Sequence, residues 1–488
     1  MIDRDPAKTR ILIIGAGFGG IGLGIKLKKA GLDDFLILEK SDSVGGVWRE
    51  NRYPGAACDV PSHLYSFSFE PRADWPQKYA QQPDILDYLI WCARKHNLAP
   101  HIRFGAEVTD ARWDEASSRW IVRTGNGQIV EAQSLIAATG QLNRPYRPQL
   151  PGLNNFSGTV FHSAEWRQDY DLSGKRVAVI GTGASAIQFV PAIAPRVGQL
   201  YVFQRSAPYV LAKRDKTYAR WQQFVFARIP GVLKLSRLLI YIRHEMRAFA
   251  FISMRAAMTG KRQLFLRHLA RSVANPQLRK RLMPNYRMGC KRILLSNDFY
   301  PAMQRANVEL VTQPIKDIRS DAIVTADGTE RKLDCIIFGT GFAASDFLVP
   351  MKITGRNGQD LQQAWRGGAQ AHLGMTVAGF PNFFMLYGPN TNLAHNSIVY
   401  MIENQIRYVM ACLARLCRDE IRSMEIRKNI QDRFNADIQQ RLRKTIWSRG
   451  CTSWYLTAEG KNTANWPGYT FEYRLKTRSP YWDDYAVR

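Results

Sequence analysis

Two glycine-rich turns and two charged residues at matched spacing carry the first readable chemistry. Gly15-Ala16-Gly17-Phe18-Gly19-Gly20 follows the apolar run ILII and opens the stretch GLGIKLKKAG. That pattern suits a pyrophosphate. Gly15 permits a tight turn, Gly17 lets phosphate oxygens approach backbone amides at a helix N-terminus, and Gly20 lets helix and strand pack closely. Glu39 ends the next apolar run, FLILEK, 24 residues after Gly15, where a carboxylate can accept hydrogen bonds from ribose hydroxyls. The pattern recurs at Gly181-Thr182-Gly183-Ala184-Ser185-Ala186, and Arg205 followed by Ser206 stands 24 residues after Gly181. An arginine there pairs with a 2′-phosphate that a carboxylate would repel, so the second nucleotide is expected to be NADPH.

These residues need a strand, a turn, a helix and a second strand to hold them, and both segments read as such βαβ units. Two further apolar strands, LIAATG ending at Gly140 and CIIFGTGF ending at Phe342, are expected to complete one nucleotide domain each and pass the chain to the other. The fold predicted is α/β, with two Rossmann-like dinucleotide-binding domains, the second inserted in the first and carrying a helical insertion. The expected boundaries are 1–144 and 343–488 for the first domain, 145–212 and 290–342 for the second, and 213–289 for the insertion.

With 488 residues, 45% hydrophobic and 22% charged, the chain has globular composition and is too long for one ordinary core. The first ten residues carry several charges and no apolar core, so no signal peptide is read and a cytoplasmic protein is expected. Seven cysteines, never in C-x-x-C spacing, argue against a disulfide framework or a zinc site; reduced thiols and no metal are expected. The formal net charge is +27, and residues 213–292 contribute 18 of it, with 20 basic side chains against Asp215 and Glu245. The longest uncharged run in the insertion's apolar stretch, Ala248 to Met254, is too short to span a bilayer. Arg243 and Arg247 stand one helical turn apart. A solvated face over a substrate pocket is favoured, with peripheral contact to anionic membranes as the alternative. No nucleic-acid motif accompanies the charge, so nucleic acid is not an expected partner.

Three stretches resemble the type I Baeyer-Villiger monooxygenases of the class B flavin monooxygenase family. Gly46-Val47-Trp48 through Tyr53-Pro54-Gly55-Ala56-Ala57-Cys58-Asp59 fits the pattern GxWxxxx(F/Y)P(G/M)xxxD, and Phe156 to Trp166 fits FxGxxxHxxxW, followed here by Arg167 instead of the usual Pro or Asp. The related N- and S-oxygenating enzymes generally carry Tyr or Phe where this chain has Trp166. Gly289-Cys290-Lys291-Arg292 is similar to the family's Lys-Arg pair beside the flavin, and FQRSAPYVL, GFPNFFMLYGPN, MIENQ and SWY extend the likeness over nearly the whole chain.

The resemblance implies FAD on the first unit and NADPH on the second. It places Phe18, Val47, Trp48, Asp59 and Tyr65 around the flavin and the Val108 backbone at the adenine. It places Ala57, Cys58, the turn 181–186, Arg205, Ser206, Lys291 and Trp454 at NADP. The reaction implied is reduction of FAD by NADPH, capture of O₂ as a C4a-peroxyflavin, and oxidation of a ketone to an ester or lactone. Arg292 is the expected catalytic cation, because a guanidinium stays charged when desolvated and donates several hydrogen bonds to an oxyanion; Asp59 is expected to pair with it and set its position. His162, read as lying in a linker between the domains, is expected to serve as a hinge or hydrogen-bonding residue, and Cys58 to pack. Oxygenation of sulfides or amines is the alternative activity. A non-catalytic flavoprotein that sits on membranes or partners is the alternative of a different class.

Overall fold

The computed structural model describes residues 7–252, 255–418, 421–448, 453, 455–457 and 459–488. Strand β1 (Ala7–Ile14), helix α1 (Phe18–Lys29) and strand β2 (Phe35–Leu38) form the first unit. Residues 11–14 are all buried because both faces of β1 are covered, Ile11 and Ile13 by helix residues such as Ile21 and Ile25 and Leu12 and Ile14 by strand and loop residues such as Trp120 and Phe347, which is why they read as an unbroken apolar run. β1 lies between β2 and β3 (Ile129–Ala137), parallel to both, with Ile13 opposite Ile37 and Ile136. The strand Phe383–Met385 joins the far side of β3, also in parallel. Residues from both ends of the chain therefore build this eight-stranded sheet.

The second sheet is formed from residues between those ends. β4 (Arg176–Ile180), α2 (Ala186–Ile193), β5 (Gln199–Phe203) and β6 (Cys335–Phe338) repeat the arrangement, and β4 lies between β5 and β6 in a five-stranded parallel sheet. β3 stands beside β1 as β6 stands beside β4, so each Thr-Gly strand completes the sheet of its own unit. This is the doubly wound, nested arrangement read from the two motifs.

Helices α3 (Arg220–Arg228), α4 (Val232–Ile252) and α5 (Arg255–Ser272) leave and return through the paired parallel strands Val210–Leu211 and Leu294–Leu295. α6 (Ile398–Arg418) packs across α1. A Cβ on Gly22 would lie 2.8 Å from the Phe67 ring and 2.9 Å from Ile406, so the two helices approach more closely than a side chain allows.

Three expectations need correction. His162 is not in a linker: it ends the edge strand Thr159–His162, pairs with Phe338, and is fully buried. Its Nδ1 accepts the Ala164 N–H at 3.1 Å, and burial lowers its pKa to about 4, so the ring is neutral. An edge strand of four residues beside a short turn offers no periodicity to separate it from a linker. Cys290 is disulfide-bonded, whereas Cys58, Cys92, Cys335, Cys412 and Cys417 are free thiols. Sequence spacing cannot reveal cysteines that meet only through the fold. Finally, Arg243 and Arg247 do not share a solvated face: Arg243 is exposed, while Arg247 is half-buried with Nη1 3.4 Å from His244 Nε2. One turn of a 3.6-residue helix leaves a 40° offset between them, enough to carry Arg247 over the edge of the face.

Candidate active site

The glycine turns open at the carboxyl ends of β1 and β4. Gly15 has φ 101° and Gly181 has φ 105°, and a Cβ would stand 2.9 Å from Ala138 O in the first case and 2.6 Å from Gly339 O in the second. The Thr-Gly ends of β3 and β6 thus abut the turns and exclude side chains there. A Cβ on Gly20 would lie 1.9 Å from Gly15 O; the second unit accommodates Ala186 at the equivalent place. Gly17, at the N-cap of α1, faces Gly46 backbone to backbone. Thr182 donates its hydroxyl to Ser206 O at 3.4 Å, tying the second turn to the end of β5, while Ala184 and Ser185 lead into α2.

Glu39 is buried at the end of β2, accepting the Ala16 N–H at 2.7 Å and the Ser41 N–H at 2.9 Å. Two amides of the turn region thus set its carboxylate. Ala106 N–H donates to Glu39 O at 2.9 Å, which brings Val108, the first residue of the strand Val108–Asp114, into the same wall.

An aromatic cluster lies beside this turn. The Trp48 indole N–H donates to the Tyr65 hydroxyl at 3.2 Å, and Phe18 meets Tyr65 edge to face at 5.3 Å. Val47 and Trp48 begin a short helix directly after Gly46. The chain then crosses to the second unit: Gln188 of α2 donates to Ala57 O and accepts from the Tyr53 hydroxyl, both at 2.9 Å. A Cβ on Gly55 would lie 2.8 Å from Gln188 O. Cys58 is buried, and burial, reinforced by the Asp59 charge, pushes its thiol well above the ordinary value, so it is no thiolate nucleophile.

Asp59, at the end of that crossing, meets Arg292 from the return of the insertion. Arg292 Nη2 donates to Asp59 Oδ1 at 2.7 Å and Oδ2 at 2.6 Å, and Nε donates to Oδ2 at 3.1 Å. Among the described residues no protein atom accepts from Nη1. The pair is deeply set but not sealed, with 39% of the Arg292 and 30% of the Asp59 side chain accessible. Burial alone would raise the Asp59 carboxyl, but the Arg292 charge and hydrogen bonds outweigh it and hold the carboxyl below its ordinary value. The Asp59 charge in turn raises the Arg292 pKa. Both groups are therefore ionised across the neutral range.

Arg205, Ser206 and Lys291 converge at the end of β5. Lys291 Nζ donates to Ser206 Oγ at 3.3 Å, and burial, followed by the charge of Arg205, holds the Lys291 ammonium below its ordinary value. Among the described residues no carboxylate pairs with either cation. Two cations without an acid form a place for an anion. Trp454 lies outside the described residues.

Some neighbours of Arg292 are not predicted above. Tyr455 and Tyr387 stand near enough to feel its charge, and Tyr387 donates to Asn392 Oδ1 at 2.8 Å. His244 of α4 lies near Asp59, and its Nδ1–H donates to His395 O at 3.2 Å. Tyr387 and Tyr455 fall inside GFPNFFMLYGPN and SWY, where the signal was present but unread.

Comparisons with known proteins agree with this geometry. The family described as Flavin-binding monooxygenase-like matches residues 8–353. A Baeyer-Villiger monooxygenase of Pseudomonas aeruginosa is 45% identical over 97% of this chain and 91% of its own. The crystal structure of cyclohexanone monooxygenase from Rhodococcus sp. Phi1 bound to NADP+ superposes with a TM-score of 0.89 at 30% identity, covering 99% of this chain and 100% of that one. A structure described as the OTEMO complex with FAD and NADP superposes with a TM-score of 0.89 at 25% identity, again over 99% and 100% of the two chains. The family model spans residues 8–353, and the Pseudomonas aeruginosa and Rhodococcus relatives are matched over 91% and 100% of their own lengths; the chain belongs to the flavin-binding monooxygenases and, within them, to the type I Baeyer-Villiger monooxygenases.

Proposed function

We propose that this protein is an FAD- and NADPH-dependent monooxygenase that uses O₂ to convert ketones to esters or lactones. The observation that carries this reading is the Arg292 fork. Asp59 occupies Nε and Nη2, which leaves Nη1 to face a ligand, and Asp59 itself sits on the segment joining the two nucleotide turns.

The residues present fit both nucleotides. On the FAD side, Gly17 and Gly46 offer bare backbone at the N-terminus of α1, and each Glu39 oxygen accepts one amide and keeps capacity for a ribose hydroxyl. Arg205, Ser206 and Lys291 offer two cations and a hydroxyl to a 2′-phosphate. When bound, FAD reduced by NADPH supplies the activation of O₂ and the transfer of one oxygen atom to the substrate.

The chain's own part is positioning and charge. Phe18, Trp48 and Tyr65 give a packed aromatic wall whose Trp48–Tyr65 hydrogen bond limits ring rotation. Arg292 is a fixed cation for negative charge that develops during oxygen transfer, and Asp59 prevents its reorientation, so no dipoles need to be rearranged at the moment of reaction. Tyr387 and Tyr455 bring hydroxyls to the same place, and burial raises both pKa values, that of Tyr455 to about 12, so they remain protonated donors.

The test is aerobic turnover by the purified yellow protein with a panel of ketones and sulfides. NADPH consumption should rise with a ketone and match the ester formed. Oxidation of sulfides alone would move the reading to heteroatom oxygenation. Absence of NADPH consumption with every substrate would support a non-catalytic flavoprotein.

A further inference from the structure

The solvent-facing side of α4 is apolar where an ordinary surface helix is polar. Leu235, Leu238, Ile242, Met246 and Phe249 recur at intervals of three or four residues, Leu239 stands beside Leu238, and all six remain 45–71% exposed. They form one continuous stripe along about four helical turns. The neighbouring helix α3 carries two more exposed rings one turn apart, Trp221 and Phe224. At the far end of the stripe a hollow of about 360 Å³ opens between α4 and Phe471. Single exposed apolar residues need no explanation, but a contiguous row of this length marks a surface that something covers.

The charges around the stripe identify what covers it. Arg220, Arg228, Lys234 and Arg243 are exposed on the same two helices. The only carboxylate there, Glu245, is buried and accepts from Asn396 Nδ2 at 2.7 Å and the Thr470 N–H at 2.6 Å. Both helices are thus apolar along the exposed face and cationic at its margins, and neither carries an exposed acid of its own. A second copy docking through the same face would bring two rows of cations together with no carboxylate to answer them. No helix among the described residues is long and apolar enough to cross a membrane. A helix of this pattern lies in the interfacial plane, with its apolar side among the acyl chains and its cations at the headgroups.

We propose that α3 and α4 dock this protein on anionic membrane surfaces. The opposite side of α4 carries His244 and its flank Glu245, which bond to His395 and Asn396 of the loop ahead of α6. Docking therefore sets the candidate site about one helix diameter, roughly 10 Å, beneath the headgroups, positioned to take apolar ketones dissolved in the bilayer. That substrate class rests on the monooxygenase reading, whereas docking itself does not.

The test is co-sedimentation of the FAD-loaded protein with vesicles of phosphatidylcholine alone or mixed with phosphatidylglycerol, without NADPH or ketone. The protein should sediment with the anionic vesicles and be released by salt. Leu239→Ser with Met246→Ser, and separately Lys234→Glu with Arg243→Glu, should each weaken binding about tenfold or more while keeping bound FAD, the parent's melting temperature and turnover of a water-soluble ketone. Absence of co-sedimentation at low salt, or binding that neither pair of substitutions alters, would overturn the proposal. So would a dimer in analytical ultracentrifugation that Leu239→Ser with Met246→Ser abolishes, since a second copy would then cover the stripe. Failure of ketone turnover with intact vesicle binding would count against the catalytic reading alone.

Discussion

Replacing Arg292 with alanine should separate cofactor reduction from oxygen transfer. Asp59 engages Arg292 through three contacts of 2.6–3.1 Å that occupy Nε and Nη2, so Nη1 is the part of the fork left for a ligand. Loss of one preorganised donor to a developing oxyanion typically costs about 3–4 kcal/mol, or on the order of a hundred- to a thousandfold in rate. The substitution also leaves the Asp59 carboxylate beside the site without its cation, which adds repulsion of the same sign. Reduction by NADPH relies on contacts elsewhere, at the turn 181–186 and at Arg205 and Lys291, and should persist. The expected result is continued NADPH consumption whose electrons leave as hydrogen peroxide, with ester formation reduced at least a hundredfold. Arg292→Lys retains the charge but lacks the planar fork that grips Asp59 through Nε and Nη2 while leaving Nη1 for a ligand, so it should recover little. The assay is product and peroxide per NADPH, after confirming bound FAD. Ester formation at the parent's rate and coupling in Arg292→Ala would refute the reasoning.

Other positions give independent tests. Arg205→Ala and Lys291→Ala should each lose about 1.5–3 kcal/mol of interaction with the 2′-phosphate, reducing NADPH's kcat/KM about ten- to a hundredfold while NADH changes little; equal effects on both nucleotides would remove the site. Gly20→Ala places a Cβ 1.9 Å from Gly15 O, so FAD retention should fall and stability should drop by about 1–3 kcal/mol, read by flavin release on heating. Buried Glu70 is bonded to Lys29 and Lys95; burial would raise its pKa, but these cations bring it down to about 2 from an ordinary 4.5. Its stabilisation is complete above about pH 4.5 and is lost as pH falls toward 2. Glu70→Gln should lower Tm at pH 7, and thermal melts at pH 3 should show a smaller difference.

The nested fold was legible because each glycine turn, its following helix and its charged terminus are local features with a fixed register. Glu39 and Arg205 were found by that register alone. The contact between Asp59 and Arg292 was not local: the residues are 233 apart, and only the likeness to known enzymes paired them. Tyr387 was missed because aromatic residues in GFPNFFMLYGPN look like core until the chain is folded, and its backbone φ of 62° becomes visible only in the structure. The insertion misled for a related reason. Its basic composition pointed to a solvated face, and Arg220, Arg228, Lys234 and Arg243 are exposed there, but charge content does not say which other side chains turn outward: Arg247 is half-buried, while Leu239 and Met246 face solvent.

Turnover of a ketone under ¹⁸O₂, with ester and NADPH both measured, tests the central claim most directly. The account predicts one ¹⁸O atom in each ester molecule and one NADPH oxidised for each ester formed. Unlabelled ester, or NADPH oxidised to hydrogen peroxide with no oxygenated product from any ketone, would contradict it.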